Sequence, residues 1–168
     1  MVDFLASRIK MADAPPRATW WARHASCTAR FLAIYGRRSE ANLEAIRATL
    51  DAQSKEWDAL IPKTCDAGLM AKHVRLETAL VESARAGFSD YIERIGDLLV
   101  SLADTQSRDL AAHVPGLPVR QLKYLLLGHS GLFISRVKHA IAREDGRKCH
   151  AEAEQTDLAL AAFTMEWF

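Results

Sequence analysis

The sequence predicts an all-α fold: an antiparallel hairpin of two long helices followed by two shorter C-terminal helices, four-helix-bundle or coiled-coil-like in arrangement. Three observations lead there. The segments between its few glycines and prolines are rich in Ala, Leu, Glu, Arg and Lys, all strong helix formers. No stretch alternates β-branched residues around a hairpin turn, and the one Asp-Gly, Asp145-Gly146, reads as a helix stop. Apolar residues also recur every seven positions over long stretches.

Taken in order, residues 1–17 form a short segment that ends in a proline linker at Pro15-Pro16. Residues 18–61 read as the first long helix, with Leu43, Leu50 and Trp57 at heptad spacing and Ile46 and Leu60 in the second seam position. Phe31 and Tyr35 fall out of that register near Gly36, which predicts a bend or stutter. Residues 64–114 read as the second long helix. Val74, Val81, Phe88, Ile95 and Leu102 repeat every seven residues there, with Ala84, Tyr91 and Leu98 three beyond three of them. At 1.5 Å per residue each helix would run on the order of 65–75 Å. Only Pro62-Lys63-Thr64 separates the two, so the chain folds back on itself, with Thr64 or Asp66 placed to cap the second helix. After the Pro115-Gly116-Leu117-Pro118 break, helices near 118–145 and 148–168 carry apolar stripes (Leu122, Leu126, Phe133, Val137, Ile141; then Leu158, Ala162, Met165). Residues 117–168 are thus a helical pair, and 1–168 form a single domain.

Composition narrows the function. Lys+Arg of 22 against Asp+Glu of 21 gives a net charge of +1, which provides no broad basic footprint for nucleic acid. The three cysteines, Cys27, Cys65 and Cys149, are odd in number and widely spaced, as expected of reduced thiols in a cytoplasmic protein. The N-terminus carries no apolar core of signal-peptide length, and no apolar run is long enough to cross a bilayer.

Few residues point to chemistry. Gly128-His129-Ser130-Gly131, after a hydrophobic run, resembles the turn that presents a hydrolase's serine. That motif needs glycine two places after the serine, where Leu132 stands, and a parallel sheet beneath it. Helical spacing instead continues through it, so two small residues at a close helix contact is the favoured reading. No catalytic residue is assigned. The six histidines (24, 73, 113, 129, 139, 150) contain no i,i+4 pair, no H-E-x-x-H and no repeated Glu-x-x-His, so no metal ligand and no cofactor is assigned. Cys149-His150 with Glu152 and Glu154 reads as a polar helix start. Trp20-Trp21 and Trp167-Phe168 read as core, and Arg37-Arg38 as a solvated face. The alternative that stays open is a helical sensor for haem or a small molecule, with His129 or His139 facing an internal pocket.

The stretch ANLEAIRATLDAQSKEWDAL, followed by HVRLETALVESARAGFSDYIERIGDLLVSLADTQSRDLAAHV, resembles the phasin family, the small helical proteins that coat polyhydroxyalkanoate granules. The likeness spans roughly residues 25–114 and lies in its helical texture, with Asn42 and Glu44-Ala45 in the first amphipathic helix. It implies a non-enzymatic protein that self-associates as a homo-oligomer and adsorbs to a hydrophobic polymer surface; a scaffold that binds another helical protein stays open as an alternative. It also implies a cytoplasmic, granule-associated location. The seam Val74, Val81, Phe88, Tyr91, Ile95, Leu98 and Leu102 is then the expected surface for self-association or adsorption.

Overall fold

The structure is a computed structural model and describes residues 16–33, 40–142 and 147–167. The segment before residue 16, the bend near Gly36 with Tyr35 and Arg37-Arg38, the Asp145-Gly146 stop and Phe168 lie outside the described residues. Those residues form six α-helices and no strand: α1 (Pro16–Ala33), α2 (Glu40–Leu60), α3 (Leu69–Ala86), α4 (Ser89–His113), α5 (Val119–Ala142) and α6 (Arg147–Trp167). The all-α class stands, and no helix among the described residues is long and apolar enough to cross a membrane.

The long hairpin does not stand. The region expected as one helix over 18–61 contains α1 and α2, which lie antiparallel: Trp20 packs on Trp57, its indole Nε1 donates to the Gln53 carbonyl at 2.7 Å, and Cys27 meets Ile46. The region expected as one helix over 64–114 breaks at Gly87. Its φ of 77° is left-handed, and Gly87 N–H and Phe88 N–H donate to the carbonyls of Ala84 and Ser83. This is a Schellman-type stop, which closes the last turn of α3 and prevents its continuation into α4. Glycine enters that conformation without the steric penalty a Cβ would bring.

The break resets the heptad phase. Val74 and Val81 on α3 and Ile95 and Leu102 on α4 are all buried within the chain. Phe88 sits at the stop itself, more than half exposed, and Tyr91 and Leu98 point outward from α4. The inward row on α4 is instead Ile92, Ile95, Leu99 and Leu102. A seven-residue pattern that crosses a turn therefore does not describe one continuous seam. The stripe expected on α6 is also rotated: Leu158 is exposed, and Ala153, Asp157, Leu160 and Ala161 face inward. Of the stripe expected on α5, Leu122, Leu126, Phe133 and Val137 are buried and Ile141 is exposed.

Sequential helices pack as neighbours, α6 returns against α1, and α5 also meets α3 and α1 across the interior. The α2–α3 connection is an eight-residue turn over 61–68, in which Gly68 N–H donates to Asp66 Oδ1 at 2.9 Å, an Asx-type turn rather than the side-chain cap expected of Thr64 or Asp66. Two apolar clusters result. One gathers Trp20, Trp21, Trp57, Met70, Leu122, Leu126 and Leu160; the other gathers Cys27, Leu43, Leu50, Leu80, Val81, Leu99 and Phe133. Each fully buried leucine stabilises the fold by about 1.5–3 kcal/mol.

Two glycines separate backbone strain from helix propensity. Gly87→Ala should lower the unfolding free energy by about 1 kcal/mol, because the left-handed backbone is strained by any Cβ even though nothing lies within 4 Å of it. Gly131→Ala, inside α5 with the same open space, should raise it by up to about 1 kcal/mol. Urea unfolding of the three proteins measures both, and a Gly87→Ala protein as stable as the parent would contradict the helix stop.

Candidate metal centre

A polar layer lies between the two apolar clusters. On α1, His24 follows Trp20 by one turn and precedes Cys27; on α3, His73 and Glu77 lie between Met70 and Leu80; on α5, His129 lies between Leu126 and Phe133. In each helix the polar residue occupies the same inward face as its apolar neighbours, so helical periodicity alone carries it to the interior. His24, His73, Glu77 and His129 are each at most 4% exposed. Glu77 stands among the three rings. Its Oε1 is 3.3 Å from His73 Nε2 and 3.2 Å from His129 Nε2, and its Oε2 is 3.3 Å from His24 Nε2.

The outer side of the layer is uneven. His129 Nδ1 is hydrogen-bonded to Asp157 Oδ1 of α6 at 2.6 Å, and Asp157 is itself buried. Both ring nitrogens of His24 and of His73, and Glu77 Oε2, have no aligned hydrogen-bond partner. Trp20 stacks on His24 with ring centres 4.8 Å apart, and Trp21 meets His129 edge-on. These indoles wall the layer from the first apolar cluster.

Electrostatics follow from this geometry. Burial would raise the carboxyl of Glu77, but the imidazoles of His73 and His24 beside it and the hydrogen bond from His129 hold it well below the usual carboxylate range. Burial lowers His73, and Glu77 only partly offsets that. Burial would also lower His129, yet Asp157 and Glu77 on its two nitrogens outweigh it and push it up to about 10. His129 is thus held toward the imidazolium form between two carboxylates, while His73 is driven toward its neutral form, which has a free lone pair.

The four donor atoms, one from each of His24, His73, Glu77 and His129, all lie within 4.8 Å of one another. Ligands about 2.0–2.1 Å from a tetrahedral ion are separated by about 3.3–3.4 Å; Glu77 Oε1 stands at that spacing from His73 and His129, whereas His24 Nε2 is 3.3 Å from the other carboxylate oxygen. A second grouping, Cys65 with Asp109 and His113, is more exposed, and its members hold local partners. Asp109 Oδ2 accepts the Asp66 N–H, His113 Nδ1 pairs with the Asp109 carbonyl, and burial and Asp109 push the Cys65 thiol up to about 11.

The other residues singled out in the sequence fall elsewhere. Gly128, Ser130 and Gly131 lie inside α5, where a Cβ on Gly128 would come within 3.3 Å of Thr156 Cγ2; at this position α5 and α6 approach closely. Gly131 has open space beside it. Cys149 faces inward and donates to the Leu132 carbonyl, whereas His150 pairs with Glu154 on the surface. His129 is buried in the polar layer, and His139 is partly exposed. Trp20, Trp21 and Trp57 are buried, and Trp167 stacks on Phe163.

Sequence reasoning assigned no metal ligand because it looked for paired histidines and local motifs. The single local signal is His73 and Glu77 at i,i+4 on one face. The other donors are separated by long stretches, Glu77 and His129 by 52 residues, and only the packing unites them. No protein-family model, curated protein or solved structure matches this chain.

Ser130 tests the remaining use of its motif. Its Oγ is buried without a hydrogen-bond partner, so Ser130→Ala should leave stability unchanged or raise it by about 1 kcal/mol. Chemical denaturation measures this, and a loss of that size would show that the hydroxyl is satisfied.

Proposed function

We propose that this protein is a metal-binding helical bundle whose centre holds one first-row divalent ion through His24, His73, Glu77 and His129. The observation that carries the proposal is the convergence of three imidazole Nε2 atoms on one buried carboxylate at 3.2–3.3 Å, where those of His24 and His73 are not aligned to hydrogen-bond it and their Nδ1 atoms have no partner. A purely structural polar network would satisfy those nitrogens, since unpaired buried polar groups are costly. Three imidazoles with one carboxylate suit zinc, iron, copper or nickel better than calcium or magnesium, which prefer all-oxygen sites. Burial of all four donors supports a closed centre that ties α1, α3 and α5 together, more than an open catalytic site.

Purified protein titrated with zinc should take up one equivalent per chain and melt at a higher temperature, with about 2.7 kcal/mol of added stability when free zinc is a hundredfold above Kd. Glu77→Ala and His73→Ala should each abolish that shift. Elemental analysis after dialysis together with calorimetry makes the measurement, and a wild-type melting curve indifferent to zinc, iron and copper would contradict the proposal.

A second reading, adsorption to an apolar polymer in the manner of the phasins, is favoured by one observation. Phe88, Tyr91 and Leu98 are exposed near the α3–α4 turn, and the rings of Phe88 and Tyr91 touch, with centres 5.9 Å apart. In this reading self-association and granule binding use these three residues, since Val74, Val81, Ile95 and Leu102 are internal. Wild type should pellet saturably with polyhydroxybutyrate particles and Phe88→Glu should pellet less; equal recovery of both in the supernatant would remove this reading.

A further inference from the structure

We propose that Asp157 is the positioning residue of the metal centre, acting through His129 rather than on the ion itself. The inference rests on the metal-binding reading above. Asp157 belongs to α6, a helix that supplies none of the four donors, yet it lies on the inward face of α6 beside Leu160 and Ala161. A carboxylate on such a face is costly unless a partner compensates it. Its partner is His129 Nδ1 at 2.6 Å.

That bond has a defined chemical effect. It keeps a proton on Nδ1, so that Nε2 is the nitrogen that gives up its proton to a metal ion, and it holds the ring plane so that Nε2 points at Glu77, 3.2 Å away. It also makes the imidazole a stronger donor. Neither His24 nor His73 has an equivalent, because their Nδ1 atoms lack partners. His129 is therefore the pre-oriented ligand of the three, and α6 takes part in the centre through a hydrogen bond rather than a donor atom. Asp157 also adds a second negative charge to that of Glu77 beside a cation bound among neutral imidazoles.

The test is zinc affinity, measured by competition with a chromophoric chelator, in wild type, Asp157→Asn, His129→Gln and the double variant. Asp157→Asn should weaken zinc binding about 10- to 100-fold, with the four-coordinate Co(II) absorption retained and the helical circular dichroism of the metal-free protein unchanged. In the His129→Gln background the same change should shift affinity by no more than about twofold. Should the amide variant fail to fold, Asp157→Ser makes the same comparison. Wild-type zinc binding that Asp157→Asn leaves unchanged would overturn the role of Asp157 and keep the metal centre. An equal loss in both backgrounds would show that Asp157 does not act through His129 and would also overturn it. Absence of zinc, cobalt and iron binding in wild type would remove both readings.

Discussion

Glu77 is the constraint around which the rest of the molecule is arranged. A carboxylate at 0% exposure in a helical interior is destabilising by several kcal/mol unless opposite charge and hydrogen bonds compensate it. Here the compensation comes from three helices at once: His24 of α1, His73 of its own helix and His129 of α5. Those helices must be held in a fixed register, because a displacement of one turn would place an apolar side chain against the carboxylate.

The surrounding architecture provides that register. Apolar clusters above and below the polar layer keep water from it and limit the sliding of each helix. The tryptophans contribute shape as well as area: Trp20 lies flat on the His24 ring and is itself held by the Gln53 carbonyl. The α3 stop at Gly87 matters for the same reason. It lets α4 turn back and pack along both α3 and α5, where one long helix would have carried residues 89–113 away from the centre. The close approach of α5 and α6 at Gly128 brings Asp157 within reach of His129.

The helical class was legible because helix formers dominate and no strand pattern competes, and most of the α5 stripe was legible from its 3.6-residue period. The helix lengths were not. The heptad row from Val74 to Leu102 looked continuous because Gly87 falls between its members, and spacing cannot show that a glycine has a positive φ. Phe88, Tyr91 and Leu98 were consequently placed with Ile95 and Leu102, although Phe88 lies at the break itself and Tyr91 and Leu98 on the outward face of α4. The site was less legible still. His24, His129 and Asp157 each occur alone in an apolar helical row, where a single histidine ordinarily signals a satisfied core residue. Only His73 and Glu77 form a local pair, and a carboxylate four residues from a histidine is common on solvated helices.

The central claim is that three imidazoles and one carboxylate hold a single ion with no sulfur donor. X-ray absorption at the zinc edge of protein loaded with one equivalent addresses it directly. The account predicts a shell of about four nitrogen and oxygen scatterers at about 2.0–2.1 Å, with the outer-shell scattering pattern of imidazole rings. A shell containing sulfur at about 2.3 Å, or one without imidazole scattering, would place the ion elsewhere and contradict the account.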